Sequence, residues 1–227
     1  MEQLSRTRAL IGDEAIEKLK GARVLLFGIG GVGSYTAEAL VRAGVGALTV
    51  VDGDVISQSN INRQLFALNS TVGMQKTQAA KSRLADISAD CKITALPIFY
   101  NEDTADMIDF SQYDYIADAI DTVSSKLLII EKAKKQSVPV ISCMGTGNKL
   151  NANAFKVSDI SKTSVCPLAR VMRRELKARG IDHVKVIYSE EAPVTHERVP
   201  ASISFVPSCA GLLMAGEIIK DITGING

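Results

Sequence analysis

Apolar and polar residues alternate in blocks along the chain, and the blocks read as repeated strand–helix units. Residues 12–20 have helical spacing and stop at Gly21. The unbroken apolar run 24–27 predicts a buried strand, 34–43 a helix, and 48–51 a second strand. Residues 57–66 are polar and loop-like. A helix is predicted over 76–88, with Ala79, Ala80, Leu84 and Ile87 on one face. An alternating strand over 93–99, a short helix over 104–108 and a buried strand over 113–119 follow. A helix over 124–136 and a strand over 138–144, entered through Pro139, complete the regular part. Strands alternating with helices imply an α/β fold, a Rossmann-like, doubly wound, mainly parallel sheet. The pattern weakens after Gly145. Residues 149–200 hold polar loops, a basic helix over 168–179 and a strand over 184–188. Residues 203–219 read as a strand or turn followed by an apolar helix. This last part is a C-terminal αβ extension, with no internal repeat.

The first strand runs into Gly28, Ile29, Gly30, Gly31, Val32, Gly33 and Ser34. Gly28, Gly30 and Gly33 have the spacing of a nucleotide-binding turn. The glycines permit close approach of a ligand, and the following helix offers free N–H groups to a phosphate. Asp52 closes the second strand, 24 residues after Gly28, where an acid can grip a ribose hydroxyl. An adenine nucleotide is therefore expected, either NAD for redox chemistry or ATP for cleavage. Asp52 and Asp54 are followed by Asn60, Arg63, Gln64 and Lys76. Cations in this order suit a triphosphate, because Arg63 and Lys76 can stabilise charge developing at its α-phosphorus. Asp121 ends the fourth strand, where it can hold Mg²⁺ between phosphates or cap the next helix. Lys126, one turn on, is open between a further phosphate cation and a solvated lysine.

Charge excludes little: 26 basic side chains balance 25 acidic ones, so only local clustering can draw a polyanion. Cys91, Cys143, Cys166 and Cys209 are scattered singly, which argues against a zinc knuckle or a disulfide scaffold and for a reducing, cytoplasmic setting. The charged N-terminus is no signal peptide. Residues 203–219, interrupted by Pro207, Ser208 and Glu217, are too short and polar to span a bilayer, so no membrane association is expected.

The ordered set Gly28–Ser34, Asp52 with Asp54, 59–64, Gly73 with Lys76, and Asp118 with Asp121 resembles the adenylating domain of the ubiquitin-activating-enzyme-like (ThiF-type) superfamily. The resemblance implies ATP and Mg²⁺ as cofactors. Gly28, Gly30, Gly31, Gly33, Asp52, Asp54, Asn60, Arg63, Gln64, Lys76 and Asp121 would form the nucleotide site. In it Asp52 binds ribose, Asn60, Arg63 and Lys76 contact phosphates, and Asp121 supports the metal. It further implies a homodimer in which Arg8, or its neighbour Arg6, reaches the partner's γ-phosphate. Arg63, Lys76, Asp121 and Arg8 are thus the catalytic candidates.

The second half narrows the branch. The two zinc Cys pairs usual in sulfur-carrier-activating members are missing. The succession 162–169, 173–180 and 188–193 is similar to the tRNA threonylcarbamoyladenosine dehydratases. These use ATP to cyclise the threonylcarbamoyl group on adenosine 37 of tRNA. A long membrane-anchoring tail known in some relatives is not expected. The resemblance divides the chain into a nucleotide-binding core, 1–145, and a substrate- and tRNA-facing part, 146–227. Between 149 and 185, nine bases face three acids, and Arg173, Arg174, Lys177 and Arg179 are candidate tRNA contacts. A solvated helix face is the plainer reading of the same charges. The rival function is adenylation of a ubiquitin-like sulfur carrier's C-terminus. A sulfur-relay partner is left open, with Cys166 the one thiol worth testing and a structural role its better expectation. His183 and His196 are isolated and receive no role.

Overall fold

The computed structural model describes residues 2–195 and 200–225; His196 lies outside them. One seven-stranded sheet organises the chain. Its strands are β1 (Arg23–Phe27), β2 (Ala47–Val51), β3 (Lys92–Leu96), β4 (Tyr115–Asp118), β5 (Val140–Cys143), β6 (Phe155–Asp159) and β7 (Lys185–Ser189). They lie in the order β3-β2-β1-β4-β5-β7-β6, all parallel except β6, which runs antiparallel to β7. The helices are α1 (Ser5–Gly21), α2 (Gly33–Ala43), α3 (Lys76–Ile87), α4 (Val123–Lys135), α5 (Pro167–Ala178) and α6 (Phe205–Thr223).

Alternate residues of the central strands feed two cores. Val24 and Leu26 of β1 join α2, α3 and α6 on one face, with Leu40, Leu84 and Met214. Leu25 and Phe27 join α4 and α5 on the other, with Ile130, Met172 and Phe110. Central strands buried on both faces explain the continuous apolar runs. The predicted doubly wound sheet is present, and its C-terminal extension completes the same sheet and the same cores.

Three differences from the sequence reading have local causes. Helix α1 begins at Ser5, but Gly12 at φ 84° and ψ 169° breaks its helical geometry. Periodicity is legible only after that break, because Leu10 before it is 84% exposed. Strand β3 ends at Leu96, since Pro97 has no N–H to continue a ladder. Strand β6 is an edge strand of mostly half-buried residues, with too few apolar positions to announce itself.

Candidate nucleotide site

The site lies where the winding reverses. β1 leads into α2 on one face, and its neighbour β4 leads into α4 on the other. A crevice at the carboxyl ends of such strands is where α/β sheets bind ligands. Gly28 adopts φ +81°, and a Cβ there would fall 2.8 Å from the Ala119 carbonyl oxygen. A Cβ on Gly33 would fall 1.8 Å from the Gly28 oxygen. Both positions therefore demand glycine: the first for the turn against the β4 loop, the second to let α2 start so close to β1. Among the described residues, the amides of Gly30, Gly31 and Val32 have no acceptor within the protein. Three adjacent free donors at a helix start form a cradle for a phosphate.

Asp52 shapes this cradle. Its carboxylate accepts from the Ile29 amide at 2.8 Å and from the Asp54 amide at 2.9 Å. Burial pushes its carboxyl above the ordinary carboxylate range, against the opposing pull of Lys76 and the two amides. Lys76, itself buried, places Nζ 2.7 Å from Asp54 and 3.8 Å from Asp52. Arg63 donates to the Ser59 carbonyl at 3.0 Å and to Asn62 Oδ1 at 2.8 Å. Its stem borders the turn, 3.5 Å from where a Gly31 Cβ would stand. Gln64 is buried beside Gly30. Asn60 uses its side-chain oxygen to accept from the Ser57 amide. The structure thus brings the glycine turn, Asp52, Asp54, Asn60, Arg63, Gln64 and Lys76 into one neighbourhood.

Asp121 follows Ala119 and Ile120, the residues pressed against Gly28. It is exposed, and among the described residues its carboxylate accepts only from the Thr122 hydroxyl, at 3.4 Å. It does not cap α4: Thr122 occupies the N-cap, without a side-chain cap bond. An unengaged carboxylate beside a phosphate cradle offers the hard oxygen a divalent cation prefers.

Both sequence readings of Lys126 are wrong. The residue is wholly enclosed, and it ion-pairs with equally buried Asp118 at 2.8 Å. Neither a phosphate nor solvent reaches it. The clue was its place on the inward stripe of α4 with Ile129, Ile130 and Ala133.

Cys166 is buried at the N-cap of α5. The residue is 2% exposed, so its sulfur is screened from solvent. Cys143 is enclosed too, and burial pushes its thiol up to about 12. His183 pairs with Asp159 at 3.2 Å. Arg8 pairs with Asp13 across the Gly12 break.

The four candidate tRNA residues divide. Arg173 turns inward and donates to the Thr163 carbonyl and hydroxyl at 2.8 and 2.7 Å. Arg179 ties α5 to α4 through Glu131 at 2.6 Å and also meets Glu175 at 3.0 Å. Arg174 is exposed and touches Glu175 at 2.8 Å, while Lys177 is exposed with no acidic partner among the described residues. Arg170, not among the candidates, is exposed on the same outer stripe as Arg174 and Lys177.

A model of the ThiF family matches residues 4–227. The chain belongs to the ThiF family. Within that family it is similar to the tRNA threonylcarbamoyladenosine dehydratase of Bacillus subtilis (strain 168), 41% identical over 98% of this chain and 95% of the relative. It is also similar to the dehydratase of the same name from Escherichia coli (strain K12), 33% identical over 85% of this chain and 75% of the relative. Among solved structures, that of the E. coli tRNA N6-threonylcarbamoyladenosine dehydratase with AMP matches this ThiF-family chain with a TM-score of 0.93 at 30% identity. The match covers 98% of this chain and 94% of the other. The same enzyme's complex with ATP matches with a TM-score of 0.91. No described helix is long and apolar enough to cross a membrane.

Proposed function

We propose that this chain is an ATP-dependent, AMP-forming dehydratase that cyclises the threonylcarbamoyl group of N6-threonylcarbamoyladenosine at position 37 of tRNA. The observation that carries the reading is the cradle of three free amides bordered by Arg63, Lys76 and Asp121. The named relatives and the two nucleotide complexes support it. The threonyl carboxylate attacks the α-phosphorus of ATP and releases pyrophosphate. The urea group of the same side chain then attacks the activated carbonyl and expels AMP, so that one water is lost overall. The attacking atom belongs to the substrate, so the reaction needs no thiol from the enzyme. The cyclisation itself transfers no sulfur, and a sulfur-relay partner stays open as a partner outside this step. Adenylation of a sulfur-carrier tail is the reading set aside.

The protein's share is positioning and charge. In this reading Asp52 binds the ribose, and Asn60, Arg63, Lys76 and the turn amides contact the phosphates. Asp121 would hold Mg²⁺, which when bound neutralises phosphate charge as a Lewis acid. Residues 1–145 carry the nucleotide and 146–227 the tRNA, in the cytoplasm. The test is to incubate threonylcarbamoyl-bearing tRNA with enzyme and ATP·Mg²⁺, then to analyse nucleosides by mass spectrometry and the nucleotide by chromatography. Loss of one water with AMP and pyrophosphate is expected; ADP with phosphate would rule out the adenylate.

We read the tRNA contact on the outer stripe of α5, with Arg174 and Lys177 joined by Arg170, while Arg173 and Arg179 hold the helix in place. The helix starts beside Gly145, at the carboxyl end of β5, and so leads away from the crevice rim. Replacing Arg170, Arg174 and Lys177 by Ala should weaken tRNA binding and flatten its salt dependence by a slope of about 2–3, at 0.7–0.9 per phosphate contact. An unchanged slope makes the stripe a solvated face.

The active assembly in this reading is a homodimer. The segment before Gly12 carries Arg6, Arg8 and Leu10, whose apolar side chain is largely exposed among the described residues. Mixing an Arg8→Ala variant with an Arg63→Ala variant should restore about a quarter of wild-type activity, since hybrids of a symmetric dimer regain one intact site. A mixture as inactive as its parents, with a monomeric mass, would rule out the shared site.

A further inference from the structure

We infer that Lys126 is a positioning residue that sets the place of Asp121 from behind the crevice, an inference that rests on the proposed role of Asp121. The Lys126 ammonium has three protons and three oxygens: Asp118 Oδ2 at 2.8 Å, the Cys143 carbonyl at 2.7 Å and the Ile120 carbonyl at 3.0 Å. The Asp118 carboxylate is equally occupied. Its Oδ2 also accepts from the Ser142 hydroxyl at 2.5 Å, and its Oδ1 accepts from the Ile120 amide at 3.1 Å. Both polar groups of Ile120 are therefore held by one ion pair, the N–H by Asp118 and the C=O by Lys126. Ile120 directly precedes Asp121. On its other side, Ala119 donates to the Phe27 carbonyl at 2.8 Å and lies against the glycine turn.

The arrangement makes one frame of the ends of β1, β4 and β5, with Asp121 projecting from it. Stability alone is a poor reason for a fully buried ion pair, because apolar residues of similar volume commonly do as well. What an apolar pair cannot do is fix a peptide plane. A group that orients a metal-binding carboxylate typically changes metal affinity 10–100-fold when removed.

The test uses Asp118→Asn combined with Lys126→Met, which removes both charges and roughly keeps volume. Two readouts are taken on the folded protein: amide hydrogen exchange over residues 119–122, and Mn²⁺ affinity in the presence of ATP. We expect faster exchange, Mn²⁺ affinity weakened about tenfold, and metal-free ATP affinity within twofold of wild type. Asp118→Asn with Lys126→Gln, which returns a donor to the Ile120 carbonyl, should recover part of the loss. If the Met variant fails to fold, this pair is compared with Asp118→Asn alone on the same readouts. Wild-type exchange and Mn²⁺ affinity in a folded variant without the Lys126 donor would overturn the inference. Asp121→Asn separates the two ideas. If it leaves Mn²⁺ affinity unchanged while loss of Lys126 still speeds exchange, the role of Asp121 fails and the positioning of its segment stands.

Discussion

Asp121→Ala is expected to reduce turnover by about 10²–10³-fold or more while the protein unfolds at the wild-type temperature. The activity estimate follows from losing the carboxylate proposed to hold the cation that neutralises phosphate charge. The stability estimate follows from the surroundings: the carboxylate is exposed, meets only the Thr122 hydroxyl among the described residues, and caps no helix. Surface changes of this type stay within about 0.5 kcal/mol. Pyrophosphate release measures the first and calorimetry the second. A kcat within twofold of wild type would return Asp121 to an ordinary loop position.

Lys126→Met alone should have the opposite character, a large loss of stability. It leaves the Asp118 carboxylate fully buried without its counter-ion, and breaking one half of a buried pair costs about 3–5 kcal/mol. For a chain of this size that lowers the melting temperature by about 10 °C. Adding Asp118→Asn should recover most of the loss, because an amide carries no charge to strand. A single variant that melts within 2 °C of wild type, by the scale of about 2–4 °C per kcal/mol, would mean that water reaches Asp118.

The contrast between these two residues shows what a sequence reading reaches. The positions of Asp52 and the glycine turn directly after strands were legible as local patterns; Asp121, expected to end the fourth strand, stands three residues beyond β4, which closes at Asp118. The sheet was legible for the same reason: β1, β2 and β4 are short apolar runs, each followed by a recognisable helix. Lys126 was not, because its partners come from β4, β5 and the intervening loop, and only the fold joins them. A lysine on an apolar helical stripe was the available sign. Arg173 repeats the lesson on α5, where it shares the inward stripe with Ala169, Met172 and Leu176. Strand β6 was missed because its alternation is carried by two apolar residues alone, Phe155 and Val157. The charge count between 149 and 185 could not separate cations that hold the structure from those left free.

Helix α6 follows every other described element in the chain, yet it packs beside α2 and the glycine turn near the beginning. Thr36 of α2 donates to the Gly211 carbonyl at 3.0 Å, and Asn62 donates to the Ser202 carbonyl at 3.0 Å. A Cβ on Gly31 would touch Pro207 at 3.0 Å. On the ribosome, at roughly 5–20 residues per second, the phosphate turn emerges many seconds before its roof exists. Until then the part of α2 that α6 covers stays open, although β1, β2 and α3 already pack on the rest. A product cut after residue 145 would therefore lack this cover over the phosphate turn.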